Sequence, residues 1–265
     1  MLPIRMDEIP VEIKEYLNKI NSISYPRQGY TSDVGLINSD QGFFVLKRTK
    51  GKVFCSILKK ERFILNILTN KTELPIPKVK KFLEVENDTV SWILMDFLEG
   101  ETLRSSALLN EKKKENRHEI IFNFGRILSQ IHSTPCPDEL INEHRWLNLM
   151  LYKAEKNSKI HEVDGTKELL KSIKENQPKD YNQTLIHGDF TIDNVLVSHG
   201  VITGVIDWGY GAFGDPRFDV SLAIRPKRNA FENEIDKQIF FEGYGGKIIT
   251  DNDYDYFANG LYEFF

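Results

Sequence analysis

The apolar positions of this chain change period along its length. Behind Gly42, the run FFVLKR at 43–48 is aromatic and β-branched enough to predict a strand entered from a turn. Leu58, Glu61, Leu65 and Leu68 then recur at three- and four-residue steps, so 54–69 reads as a helix with Glu61 on its apolar face. Two prolines in LPIPKV end that pattern, and SWILM at 91–95 predicts a further strand that runs into DFLEGETL and its Gly100. Ile120, Phe124, Ile127 and Ile131, widened by Ile121 and Leu128, predict a second amphipathic helix, which Pro135 and Pro137 stop. The polar, lysine-rich stretch 164–184 suggests a surface helix and loop, and the C-terminal region suggests further helices about the glycine-rich FFEGYGG. The pattern as a whole is α+β. A small β-rich lobe over 1–98 has its hinge at about 95–100, and a larger, mainly helical lobe covers 99–265.

The densest chemistry lies in LIHGDFTIDNVLVSHGVITGVIDWG, residues 185–209. Two apolar runs, VLV and VITGVID, flank Ser198-His199-Gly200 and predict a β-hairpin. Pairing about that turn would set Asn194 nearly opposite Asp207, with Cβ atoms about 5 Å apart. An amide oxygen and a carboxylate at one end of a hairpin suit a hard cation, and Mg²⁺ takes few protein ligands and leaves the rest to phosphates and water. Asp189, in the loop leading to the same end, adds a third oxygen group that could orient a nucleophile. The arrangement points to metal-assisted phosphoryl transfer.

HGDFTIDN follows the catalytic-loop pattern H-x-D-x-x-x-x-N of kinases, and IDWG stands where D-F-G would. With the glycine after the histidine and the continuation IDWGYGAFGDPRFDVSLA, the chain resembles the aminoglycoside phosphotransferase and choline kinase branch of the protein-kinase-like superfamily. The resemblance runs from about residue 26 to about 246 and is strongest over 185–223. It implies a bilobal kinase-like fold that binds ATP, with GTP not excluded. Asp189 would be the catalytic base, Asn194 and Asp207 would hold Mg²⁺, and His187 would brace the loop. Lys47, closing the FVLK strand, would pair with Glu61 and contact the nucleotide phosphates. Gly29 and Ser32 lie in PRQGYTSDVGLIN, which resembles the family's reduced phosphate loop and reads almost as well as a plain hairpin turn. Backbone groups around Asp96 and Leu98 fall where a hinge would read the adenine edge.

What is missing narrows the acceptor. Seven residues separate Asp207 from Asp215, no A-P-E follows, and Gly188 stands where protein kinases carry an arginine, so there is no room for a peptide-holding activation segment. Asp215 and Asp219 are expected to cap turns and the helix that follows, with Asp215 near the mouth of the site.

Composition adds bounds to this picture. Of 265 residues, 40% are hydrophobic and 28% charged, an ordinary globular balance, and no apolar run is long enough to span a bilayer. The opening residues lack the apolar core of a secretory signal, and Cys55 and Cys136 lie in no paired spacing, so a reducing cytoplasm is expected. A net charge of −4 argues against nucleic acid as the main partner. From Asn229 onward the segment holds −6, leaving +2 elsewhere, which reads either as a solvated acidic face or as a surface attracting a cationic substrate. The expected activity is therefore transfer of the ATP γ-phosphate to a hydroxyl of a small molecule. An aminoglycoside-like antibiotic, with resistance as the consequence, stands beside choline, homoserine, thiamine, sugar-amine and macrolide acceptors. A nucleotide-binding pseudokinase is the alternative of another class.

Overall fold

A computed structural model describes residues 3–26, 31–85, 89–106, 114–160 and 162–265. The chain divides into two compact units. One runs to Glu99 and takes in Gly204–Tyr210; the other comprises Gly100–Thr203 and Gly211–Phe265.

The smaller unit is an antiparallel sheet with a helix against each face. Strands β1 (Ile20–Ser24), β2 (Asp33–Ser39), β3 (Gly42–Lys50), β4 (Val79–Val85) and β5 (Val90–Asp96) lie in the order β1-β2-β3-β5-β4. The register Lys47↔Ile93 and Leu46↔Leu94 decides the faces, because successive strand residues point to opposite sides. Phe44, Leu46, Trp92 and Leu94 join Ile4, Ile9 and Ile13 in a core on one side, where α1 (Val11–Leu17) packs. Lys47, Ile93 and Met95 have the opposite parity and share the face that α2 (Lys52–Lys71) covers. The helix is longer than the periodic core of its sequence suggests because Gly51 and Thr72, both outside helical geometry, set its ends.

The larger unit is mainly helical: α3 (Lys114–Ser133), α4 (Trp146–Ile160), α5 (Lys167–Glu175), α6 (Pro216–Ala223), α7 (Glu234–Tyr244) and α8 (Asp251–Ala258). Short strands accompany them. β6 (Glu101–Thr102) pairs with β8 (Val195–Ser198), which is followed by β9 (Val201–Val205); β7 (Thr184–Ile186) pairs with β10 (Ala212–Gly214). A core of Trp146, Leu147, Phe218, Leu222, Phe257 and Phe264 joins α4, α6, α8 and the C-terminal turn. Among the described residues no helix is long and apolar enough to cross a membrane.

Helices α3 and α7 approach closely because each presents a glycine to the other. A Cβ at Gly125 would run into the carbonyl of Phe240, and one at Gly243 into that of Phe122. Overpacking of this kind costs about 1–3 kcal/mol. Gly125→Ala and Gly243→Ala should each lower the thermal midpoint, by roughly 2–4 °C for every kcal/mol lost in a chain of this size. Unfolding followed by circular dichroism reads the shift, and unchanged midpoints would show that the helices can part.

Candidate active site

In the larger unit the loop between β7 and β8 is built around a buried carboxylate. Helix α6 carries PRFDVSLA, every residue of which is buried, and Asp219 within it has no exposed surface. A charge so placed is costly unless donors surround it. Its two oxygens accept the backbone N–H groups of His187 at 2.6 Å and Gly188 at 2.8 Å, while His132 Nε2 lies 3.4 Å from Oδ2. Asp219 thus pins the start of HGDFTIDN. The expected capping role holds for Asp215, whose carboxylate accepts the N–H of Arg217 at 3.0 Å. Asp219 does not cap; its side chain turns away from its own helix toward the loop. Asp215 is itself buried and engaged by the Arg217 guanidinium at 2.7 Å, so it is not free to meet a substrate.

The loop continues from that anchor. His187 is fully buried, and its Nδ1 accepts the N–H of Asp189 at 3.2 Å. Phe190 drives its ring into the core, stacked on Phe124 at 4.7 Å. The Asn194 amide then donates to the Asp189 carbonyl at 2.8 Å and to its carboxylate Oδ2 at 2.9 Å. This grip orients the carboxylate, whose Oδ1 lies 3.4 Å from the Tyr262 hydroxyl. With its nitrogen committed, Asn194 keeps its amide oxygen for another partner.

In the smaller unit, Lys47 Nζ lies 2.8 Å from Glu61 Oε1 and also donates to Asp207 Oδ1. The Lys47 and Glu61 side chains are 8% and 6% exposed, whereas that of Asp207 is 47% exposed. Burial works against the lysine charge, but the Asp207 and Glu61 carboxylates outweigh it and hold the ammonium well above the ordinary lysine range. Burial raises the pKa of Glu61, which the lysine opposes and the second carboxylate reinforces. One ammonium serves two carboxylates, and Asp207 is the more exposed of them. Asp207 also sits at φ 66°, the left-handed region that non-glycine residues seldom occupy. Trp208 Nε1 donating to Val205 O at 3.0 Å helps to fix this turn. Gly209 lets α2 come near, since a Cβ there would lie 2.8 Å from Ile57 Cγ2.

Among the described residues no group of three His, Cys, Asp or Glu side chains could hold a metal. Asn194 in the larger unit keeps an amide oxygen, and Asp207 in the smaller unit presents a half-exposed carboxylate; each is an oxygen donor of the type that Mg²⁺ takes. Of the nucleotide-side residues, Ser32 is buried and Gly29 lies outside the described residues. The N–H of Asp96 donates to Lys78 O at 3.0 Å and its carboxylate pairs with Lys80 at 2.9 Å, so neither group is open to a base edge.

Two side chains of the site escaped the sequence reading. An acid inside an otherwise apolar helix was a usable signal for Asp219. Nothing local marks Tyr262, which reaches Asp189 across 73 residues of sequence. Asp219→Ala would leave two buried N–H groups without an acceptor, at about 1–3 kcal/mol each. Urea unfolding should show that loss, and the Asp219→Asn midpoint should fall less. Equal midpoints for both variants and the native chain would mean that the loop is held by other contacts.

The chain is 25% identical over 267 residues to an aminoglycoside 3'-phosphotransferase of Niallia circulans, covering 97% of each chain. It is also 25% identical over 236 residues to a probable acyl-CoA dehydrogenase, IBR3, of Arabidopsis thaliana; that match takes in 80% of this chain but spans only 28% of the relative's length. The crystal structure of a type VIII aminoglycoside-3'-phosphotransferase superposes with a TM-score of 0.74, at 19% identity, over 93% of both chains. A streptomycin–ATP ternary complex of another aminoglycoside phosphotransferase gives a TM-score of 0.60 at 21% identity, over 90% of this chain and 85% of that one. The fold is therefore the kinase-like α+β fold of these enzymes. With residues 22–254 matching its family model, the chain belongs to the phosphotransferase enzyme family.

Proposed function

We propose that this protein is a small-molecule kinase that moves the γ-phosphate of ATP to a substrate hydroxyl, with Asp189 as the base. The observation that carries this reading is the grip of the Asn194 amide on the Asp189 carboxylate, 2.9 Å at Oδ2, which leaves Oδ1 turned toward Tyr262. A carboxylate fixed in this way accepts the hydroxyl proton as the oxygen attacks phosphorus, and proton transfer of this type contributes about 10²–10⁴-fold to rate. Lys47, held by Glu61, contacts the nucleotide phosphates. Asn194 and Asp207 hold Mg²⁺, which neutralises phosphate charge when bound. GTP in place of ATP remains compatible with the same residues.

The named activities of the relatives make aminoglycosides the first acceptors to test, and resistance would follow from such an activity. Metabolite kinases of the same fold are the second reading. A pseudokinase is disfavoured by the Lys47–Glu61 pair at 2.8 Å, an arrangement that suits phosphate binding in a turning-over enzyme.

A coupled ADP-release screen over aminoglycosides, macrolides and amino alcohols tests the activity directly. Asp189→Asn should reduce transfer by about 10²–10⁴-fold and leave nucleotide affinity, read by calorimetry, nearly unchanged. Asp207→Ala should instead weaken Mg²⁺-dependent nucleotide binding. Equal loss of nucleotide affinity in both variants would count against Asp189 as the base.

A further inference from the structure

The Asp189 carboxylate is met on both of its oxygens. The Asn194 amide donates to Oδ2 at 2.9 Å, and the hydroxyl of Tyr262, 73 residues further along the chain, donates to Oδ1 at 3.4 Å. The terminal torsion of an aspartate is broad, so a carboxylate held through one oxygen can still turn. A donor on each oxygen fixes its plane. At 3.4 Å the second contact stands at the long end for a hydrogen bond, and hydrogen bonds to catalytic groups often tighten only when substrate is bound.

The turn that presents Tyr262 is tied down on several sides. It spans Leu261–Phe264, with Leu261 and Phe264 fully buried and Tyr262 half-buried between them. The N–H of Gly165 donates to Glu263 O at 2.9 Å, and the Asn157 side-chain amide donates to Phe264 O at 2.9 Å. Gly165 has to be a glycine for this approach, because a Cβ there would lie 2.4 Å from the Phe264 ring. The Tyr262 ring meets two side chains supplied by α6 and the residues just after it. Phe218 lies 6.4 Å away between ring centroids, and the Arg225 guanidinium lies 4.8 Å from the ring centre. A cation over an aromatic face is attracted to it, and Glu263 Oε1, 3.1 Å from Arg225 Nη2, keeps the guanidinium in place. Phe218 directly precedes Asp219, which holds the backbone of His187 and Gly188. Neighbouring residues of one buried helix thus support the base from two directions, through the loop backbone and through Tyr262.

From this we infer that Tyr262 is a positioning residue, whose hydroxyl holds Oδ1 of Asp189 so that the carboxylate meets the acceptor in a single orientation. The inference rests on the reading of Asp189 as the base. A carboxylate free to turn would be out of line with the acceptor hydroxyl for part of the time. That loss falls on the chemical step and not on acceptor binding.

The contact is read by nuclear magnetic resonance on the full chain carrying isotope-labelled aspartate, without any ligand. The carboxyl carbon of Asp189, identified by its loss in Asp189→Asn, reports on hydrogen bonds to its oxygens. Tyr262→Phe keeps the ring and removes only the hydroxyl, so that resonance should move while the thermal midpoint stays at the native value. Tyr262→Leu should move it too and lower the midpoint. With the compounds of the acceptor screen, kanamycin first, Tyr262→Phe should lower kcat for ADP release about 3- to 10-fold and leave the acceptor KM nearly unchanged. The inference is overturned if the resonance stays in place in Tyr262→Phe, or if it moves only in Tyr262→Leu, which would make the ring a packing group. A raised KM at unchanged kcat would overturn it as well, since Tyr262 would then bind the acceptor and not hold the base. A resonance that moves in a chain releasing no ADP with any compound of the screen would sink the kinase reading and leave the Tyr262 contact standing.

Discussion

A carboxylate with no access to water organises the larger unit. Asp219 lies in a helix buried along its whole length, so its charge can be tolerated only where donors converge on it. The donors are the backbone N–H groups of His187 and Gly188, and backbone groups reach a fixed point only when the loop adopts one conformation. Folding of the helix and ordering of the loop are thereby a single event. His187 and Asn194 then act on a backbone already in place. The carboxylate of Asp189 is oriented by a neighbouring amide instead of being left to find its rotamer when substrate arrives. Such preorganisation is where a base gains its advantage over water.

The smaller unit treats charge in the opposite way. Asp219 is fully satisfied and inert; Asp207 is half exposed, shares one lysine with Glu61 and occupies a disfavoured backbone region. A left-handed backbone costs stability in a residue with a side chain, and strain of that kind clusters at functional positions. Glu61 shows why the lysine stays in place meanwhile. Its burial makes any departure of Lys47 expensive, since an uncompensated buried carboxylate would remain.

How much of this was legible in the sequence follows from what each feature depends on. The strands of the smaller unit and the helix bearing Glu61 are periodic in the sequence because their burial is one-sided, and the side of the sheet on which Lys47 stands follows from strand parity. HGDFTIDN and IDWG were readable because their residues act within a few positions of one another. Asp219 was half readable: the acid in PRFDVSLA announced a buried charge, but a helix cap was the local explanation and the true partners lie some thirty residues earlier. Tyr262 and the loop at 227–231 left no trace, because tertiary packing alone sets their places. Phe231, Phe124 and Phe190 are unremarkable aromatics in sequence; only their stacking connects one loop to the other.

The acidic C-terminal region shows how a correct sum can mislead. A segment charge of −6 suggests an attractive field for cations. A field at a site depends on the charges left after local pairing, and screening confines surface charges to about 8–10 Å in physiological salt. Here five of the eight acids meet a cation: Glu234 with Lys237, Asp251 with Lys247, Asp236 with Arg117, Asp253 with Arg217 and Glu263 with Arg225. Arg225, paired with Glu263, brings its guanidinium against the ring of Tyr262, whose hydroxyl lies 3.4 Å from Asp189. For a segment of this kind, local pairing says more about the field at a given point than the total charge does.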